Sequence, residues 1–429
     1  MIHKLIMDVE KRNQATQDFY LGGLGLLVKK RRMYLNMTQE TLAKGICSNT
    51  YLSKFENNAA PINNEFIGLI MEKIELGYDS VILPDEMIEI FEKALDYYIR
   101  DDKNQFEIMM HSVKQVEFAI LVDIARLGYY VTLGNQNEAN ELSENLYHFL
   151  TSMDSKALNA FMIFSAASKI LNHRYDEALK ILELFKKLDS HNADLVGIIA
   201  YQKFICYGNL GLINQSRINA EEARSIFVKS KNYRRLALID LYQIEFSYYE
   251  SETIINYNNI SFLELLNQDE KDRFYLLLAL GKENSFENLM KISKNSKYYV
   301  ESLFLNCWLR LNEKNSSDFL NYKDELYQIC LNPQHSRVNY HHWIVLMELG
   351  AYHDLRSFLL THILPLAYQY QSVFLLKKIT KEIASFSFTN KRYKDALYEI
   401  INIESDIAKL QNIKKPIGML NPQSAYDIE

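Results

Sequence analysis

Glycine and proline are scarce along this chain, with 14 and 6 residues among 429. These two residue types stop helices and shape tight turns. So few of them over this length disfavour an all-β architecture and predict an all-α fold built from long helices. Apolar residues at 48% and charged residues at 24% exclude collagen-like, mucin-like and wholly disordered chains. The length exceeds what one compact core supports and suits about two to four domains. Tyrosine and phenylalanine, 29 and 22 residues, supply flat apolar surface for a core or for gripping a ligand.

Cys47, Cys206, Cys307 and Cys330 include no C-x-x-C spacing, which leaves a zinc site unsupported and reads as reduced thiols. The first residues, MIHKLIMDVEKRN, carry Asp8, Glu10, Lys11 and Arg12 and form no apolar signal core. No run of about 18 uncharged apolar residues occurs. The expectation is a cytoplasmic protein without a membrane segment.

Charge is unevenly placed. From Leu24 to Asn58 six basic residues (Lys29, Lys30, Arg31, Arg32, Lys44, Lys54) face two acidic ones (Glu40, Glu56), while the whole chain carries −6. A basic head on an acidic body suits a nucleic-acid-binding head; the KKRR run read alone also suits a solvated helix face. Within this head, Thr38 is a good N-cap for a short helix, Gly45 permits a tight turn, and Ser48 can cap a second helix to about Asn57. Leu42, Ala43, Ile46, Leu52 and Phe55 share one side of the unit. A helix over about Asn64–Leu76 brings Phe66, Ile67, Ile70, Met71 and Ile74 to close the core. LGGLG at 21–25 lacks the spacing of a phosphate loop and reads as a turn before the first helix.

Gly25, Val28, Arg32, Thr38, Gln39, Leu42 and Ala43, then Phe55, Glu56 and Asn57, resemble the Cro/repressor-type (Xre) helix-turn-helix family. Asn58 stands where that family commonly has glycine, and asparagine tolerates the left-handed conformation. The resemblance implies an N-terminal extension over 1–20 and a five-helix-type DNA-binding domain over 21–80. It implies that Gln39 binds a phosphate, that Asn49, Thr50 and Lys54 face base edges, and that Lys29 and Lys30 touch phosphates. Arg32 and Glu56 match a family pair that forms an internal salt bridge.

From about Pro84 onward, helices of 12–18 residues alternate with short polar breaks. HRYDEALKILELFKKLDS (173–190) and KRYKDALYEIINIESDI (391–407) share an aromatic followed three residues on by alanine, as Tyr175/Ala178 and Tyr393/Ala396. Breaks at Gly134, His173, Gly211, Gly350 and Asn390 fit a period of about 37 residues, against about 34 for a tetratricopeptide (TPR) repeat. The small residue expected seven positions before a break is present as Ala166 and Ala384, and is replaced by Phe204 and Trp343 elsewhere. Residues 81–429 thus resemble a degenerate TPR array, predicted to coil into a right-handed superhelix with a concave groove; an unrelated helical bundle is the alternative. Projecting the repeat frame makes Tyr201, Asn209, Arg337, Tyr340, Lys378 and Lys381 inward candidates for binding a peptide, with plain surface or inter-repeat packing as the other reading of each.

Enzymatic chemistry finds little support. His335, His341, His342, His353 and His362 cluster in sequence without H-E-x-x-H or a completing carboxylate, so no metal is expected. No G-x-S-x-G, P-loop or kinase set is present. No cofactor is implied.

An Xre head on a long TPR body resembles the RNPP regulators, a family that binds short signalling peptides in the groove. That resemblance implies a cytoplasmic, homodimeric transcription regulator that reads a palindromic operator in double-stranded DNA under control of a short peptide. Two alternatives stay open: a DNA-binding regulator whose body docks a partner protein, and a phage-type peptide receptor controlling lysis and lysogeny.

Overall fold

The structure is a computed structural model that describes residues 24–57, 60, 63–76, 84–113, 119–150, 153, 155–187, 193–251, 263–281, 285–310, 317–330, 357, 359–390 and 393–411. Among the described residues every regular element is helical, and the chain is all-α. It divides into two compact units, residues 1–203 and 204–429.

The first unit opens with four helices: α1 (Leu24–Tyr34), α2 (Gln39–Ala43), α3 (Asn49–Glu56) and α4 (Asn64–Lys73). Leu24 and Gly25, read from sequence as part of a turn, lie inside α1. α1 packs on α3, and α2 on both α3 and α4. Leu27, Val28, Leu42, Ala43, Leu52, Phe55, Ile70, Met71 and Ile74 are buried between them. Each large apolar side chain so buried stabilises the unit by about 1.5–3 kcal/mol.

Next come α5 (Pro84–Arg100), α6 (Lys103–Ser112), α7 (Ile120–Leu133), α8 (Gln136–Tyr147), α9 (Ser155–Leu171) and α10 (Tyr175–Glu183), the last continued by a 3₁₀ turn at Leu184–Lys187. Each packs on its successor along α5–α6–α7–α8–α9–α10, and α7 also packs on both α5 and α9. Consecutive helical hairpins are therefore stacked through their first helices. Gly128 on α7 makes the close approach possible: a Cβ there would lie 2.8 Å from the Phe164 ring on α9. That ring meets Tyr98 of α5 edge-on at 4.8 Å. Polar ties join α8 to α9, with Ser143 and Ser165 hydroxyls 3.0 Å apart and Asn140 Oδ1 accepting from Ser168 and Asn172 at 3.1 Å. Tyr175, Ala178 and Ala166 are all buried.

One turn chemistry recurs. The backbone N–H groups of Met37, Leu76, Asp102, Asn135, Arg174, Leu212, Asn232 and Ser372 each donate to the carbonyl five residues earlier. The residue before each is left-handed: Asn36, Glu75, Asp101, Gly134, His173, Gly211, Lys231 and Gln371. This is the Schellman closure, which satisfies carbonyls at a helix end. Most of these positions are not glycine, so the chain makes repeated sharp helical turns while using little of it.

α11 (Ala193–Asn209) spans the division between the units. The second unit continues with α12 (Ile213–Lys229), α13 (Tyr233–Ser251), α14 (Gln268–Leu280), α15 (Ser285–Met290), α16 (Tyr299–Leu309), α17 (Ser317–Cys330), α18 (Leu364–Gln369, after a π-helical turn at Leu359–Ile363), α19 (Val373–Asn390) and α20 (Tyr393–Gln411). α12–α13–α14–α15–α16–α17 pack successively, as do α18–α19–α20. Ile379, Ile383, Ala396, Ile403 and Ile407 belong to one buried cluster here. Ala384, the small residue before the break at Asn390, is exposed. Arg234 makes a two-pronged pair with Glu270 at 2.6 and 2.7 Å, holding α13 to the start of α14. No helix among the described residues is long and apolar enough to cross a membrane.

Candidate nucleic-acid interface

The α2–α3 segment is framed by two side-chain caps. Thr38 Oγ1 accepts from the Thr41 amide and Ser48 Oγ from the Tyr51 amide, each at 3.1 Å. Between the helices Gly45 takes φ +81°, a conformation that costs a Cβ-bearing residue strain. Lys73, at the end of α4, fixes the same turn from outside by donating to the carbonyls of Leu42 (3.1 Å) and Lys44 (2.7 Å).

Helical spacing then sorts α3 into two faces. Leu52, Phe55 and Glu56 are buried, while Thr50 and Lys54 are exposed on the opposite side and Asn49 is exposed at the helix start, two turns before Glu56 and in line with it. Glu56 is 0% exposed. Its carboxylate accepts from Arg32 Nε at 2.6 Å, Arg32 Nη2 at 2.8 Å and Gln39 Nε2 at 2.7 Å. Arg32 Nη1 donates further to the Met37 carbonyl at 2.7 Å. One buried carboxylate thus ties α1, the start of α2 and the end of α3 together through charge-assisted bonds. The Gln39 side chain, expected at a phosphate, is part of that internal network.

The KKRR run is spent the same way. Lys29 Nζ donates to Asn57 Oδ1 at 3.0 Å, and burial pulls its ammonium below the ordinary lysine range, opposed by nearby Glu56. Lys30 pairs with Asp123 of α7. Arg31 Nε donates to the Ile74 carbonyl at 3.0 Å, and its guanidinium lies 5.3 Å from the Tyr34 ring centre. Arg32 serves Glu56. Lys44, which the motif reading left out, is exposed beside the turn, as is Lys54 on α3.

The peptide candidates fall in both units, and two of them lie outside the described residues. Tyr201, in the first unit, is buried at 6% exposure. Its neighbour Gln202, absent from the sequence reading, donates to the Tyr98 hydroxyl at 2.8 Å and the Ile163 carbonyl at 3.1 Å, while its Oε1 has no hydrogen-bond partner among the described residues. In the second unit, the Asn209 amide donates to Ile205 of its own helix at 2.9 Å. Lys378 is buried, with its ammonium 5.0 Å from the Phe374 ring centre and 5.9 Å from that of Tyr248; Phe374 stacks on Tyr249 at 4.3 Å. Lys381 is exposed. Arg337 and Tyr340 lie outside the described residues, as do His335, His341, His342 and His353.

The chain matches no protein-family model, no curated protein and no solved structure.

Proposed function

We propose that this chain is a DNA-binding transcription regulator whose helical body responds to a bound partner, a short signalling peptide. Residues 21–80 are read as an Xre/Cro-type helix-turn-helix domain and 81–429 as a degenerate TPR superhelix, the RNPP arrangement. The observation that carries this reading is the Glu56 network. Arg32 and Gln39 converge on one buried carboxylate and hold α3 so that Asn49, Thr50 and Lys54 face outward. A short helix, rigidly held by its inner face and polar on its outer face, is what entry into a major groove requires. Asparagine reads adenine edges in two-pronged fashion, and lysine reads guanine or phosphate.

The protein acts in this reading as a cytoplasmic homodimer on a palindromic operator, with no cofactor and no catalytic step. The test is gel-shift titration of the full chain and of a chain lacking residues 21–80 against duplexes from the flanks of its own gene. Retention of a duplex only by the full chain supports the assignment; equal binding by the truncated chain removes it.

A further inference from the structure

One contact in the first unit links the candidate reading head to the body, and it uses a head cation. Lys30 of α1 pairs with Asp123 of α7, 93 residues further along the chain. Asp123 is 4% exposed. Its other oxygen accepts from Arg126 Nη1, one helical turn on, at 3.1 Å. One nearly buried carboxylate therefore serves two cations, one from the head and one from its own helix. Lys30 itself keeps 23% of its side chain exposed, at the solvent edge of the joint.

The arrangement has an uneven energetic consequence. A buried carboxylate that loses its only cation is left as an uncompensated charge, which is strongly unfavourable. Asp123 is protected from that outcome, because Arg126 stays when Lys30 leaves. Lys30 can thus exchange partners at low cost. A DNA phosphate is the same kind of acceptor as Asp123, an anionic oxygen that bonds an ammonium.

We propose that Asp123 competes with the DNA backbone for Lys30, so that α7 of the body sets the affinity of the head for DNA, with Arg126 tuning how readily the contact opens. This rests on the DNA-binding reading above. It gives the body a route to the head through a residue that touches no DNA. A partner that shifts α7 against α1 would alter DNA affinity through this contact, provided it binds the two arrangements unequally.

Changes at Asp123 and at Arg126 should act with opposite sign. Asp123→Asn weakens the hold on Lys30 and should tighten DNA binding by about three- to tenfold. Arg126→Met leaves Asp123 with Lys30 alone and should weaken DNA binding. In a Lys30→Met background, Asp123→Asn should change nothing, closing a double-mutant cycle. Affinity is measured on full chains with one duplex at fixed salt, and amide exchange over residues 24–34 is followed without DNA, where Asp123→Asn should exchange faster. Equal or weaker binding by Asp123→Asn, or an undiminished effect in the Lys30→Met background, overturns the competition. If no form retains a duplex, the DNA-binding reading and the competition fall together. Faster exchange in Asp123→Asn would then place the fault in the DNA assignment, and unchanged exchange would place it in the contact as well.

Discussion

Lys73 Nζ lies 2.7 Å from the carbonyl oxygen of Lys44, so the last residue of α4 caps the end of α2. With its second bond to Leu42, this ammonium adds side-chain bonds to the backbone closure of Lys44 on Glu40 and of Ile46 and Cys47 on Ala43, at a five-residue helix too short to be stable alone. Lys73→Met should keep the aliphatic stem, cost about 1–3 kcal/mol, and speed amide exchange at Ile46 and Cys47. Unchanged exchange there would mean the turn is held by its backbone alone.

Breaking the Glu56 network from one side should be the most damaging polar change in the head. Arg32→Met leaves a fully buried carboxylate with Gln39 as its one remaining hydrogen-bond donor among the described residues and should cost about 3–5 kcal/mol. Replacing both Arg32 and Glu56 with apolar residues should cost less than the single change. Denaturant midpoints of the two variants check the order, and a cost for the double change equal to or above that of Arg32→Met would contradict it.

These contacts show what was legible in the residues. Thr38, Gly45 and Ser48 act within three residues of themselves, so their roles follow from local chemistry. The Arg32–Glu56 pair was reachable through the motif, although its partners are 24 residues apart. The fate of Lys29, Lys30 and Arg31 was not. A lysine in a basic run looks the same whether its partner is solvent, phosphate or a carboxylate 93 residues away. In the body, Gly134 and Gly211 marked their turns, but Asp101, Lys231 and Gln371 adopt the same left-handed turn without announcing it. Tyr201 and Gln202 show the other limit: one residue of frame turns a helix by about 100°, enough to exchange an aromatic for an amide at a given face.

Close helix approach in the stacked hairpins depends on Gly128. Gly128→Ala places a methyl 2.8 Å from a Phe164 ring that is already wedged against Tyr98 and fully buried. The ring has nowhere to retreat, and overpacking of this kind costs about 1–3 kcal/mol. A melting temperature equal to that of the parent chain would show that α7 and α9 separate freely.

Near the end of the second unit, the Tyr368 hydroxyl donates to Asp406 at 2.9 Å and Lys409 Nζ donates to the same carboxylate at 2.8 Å. The Lys409 and Tyr368 bonds hold Asp406 below the usual carboxylate range. Its contribution is present at neutral pH and is lost as pH falls through the lowered value. Burial first, and then Asp406, push the Tyr368 hydroxyl up from 10.0 to about 12. That contribution is complete below pH 10.0 and declines as pH rises toward about 12. Asp406→Asn should therefore flatten the stability profile at its acid end. An unchanged acid limb in urea titrations across pH would contradict this.

Selection of duplexes from a random pool by the full chain shows whether the outer face of α3 reads DNA. The expected result is enrichment of a palindromic sequence whose affinity falls linearly in log–log dependence on salt, by about 0.9 per phosphate contact. Asn49→Ala should relax one base position in each half-site, losing about 1–3 kcal/mol of discrimination there, while the remaining positions stay selected. No enrichment, or an enriched sequence selected equally well after Asn49→Ala, Thr50→Ala and Lys54→Ala, would contradict this role of α3.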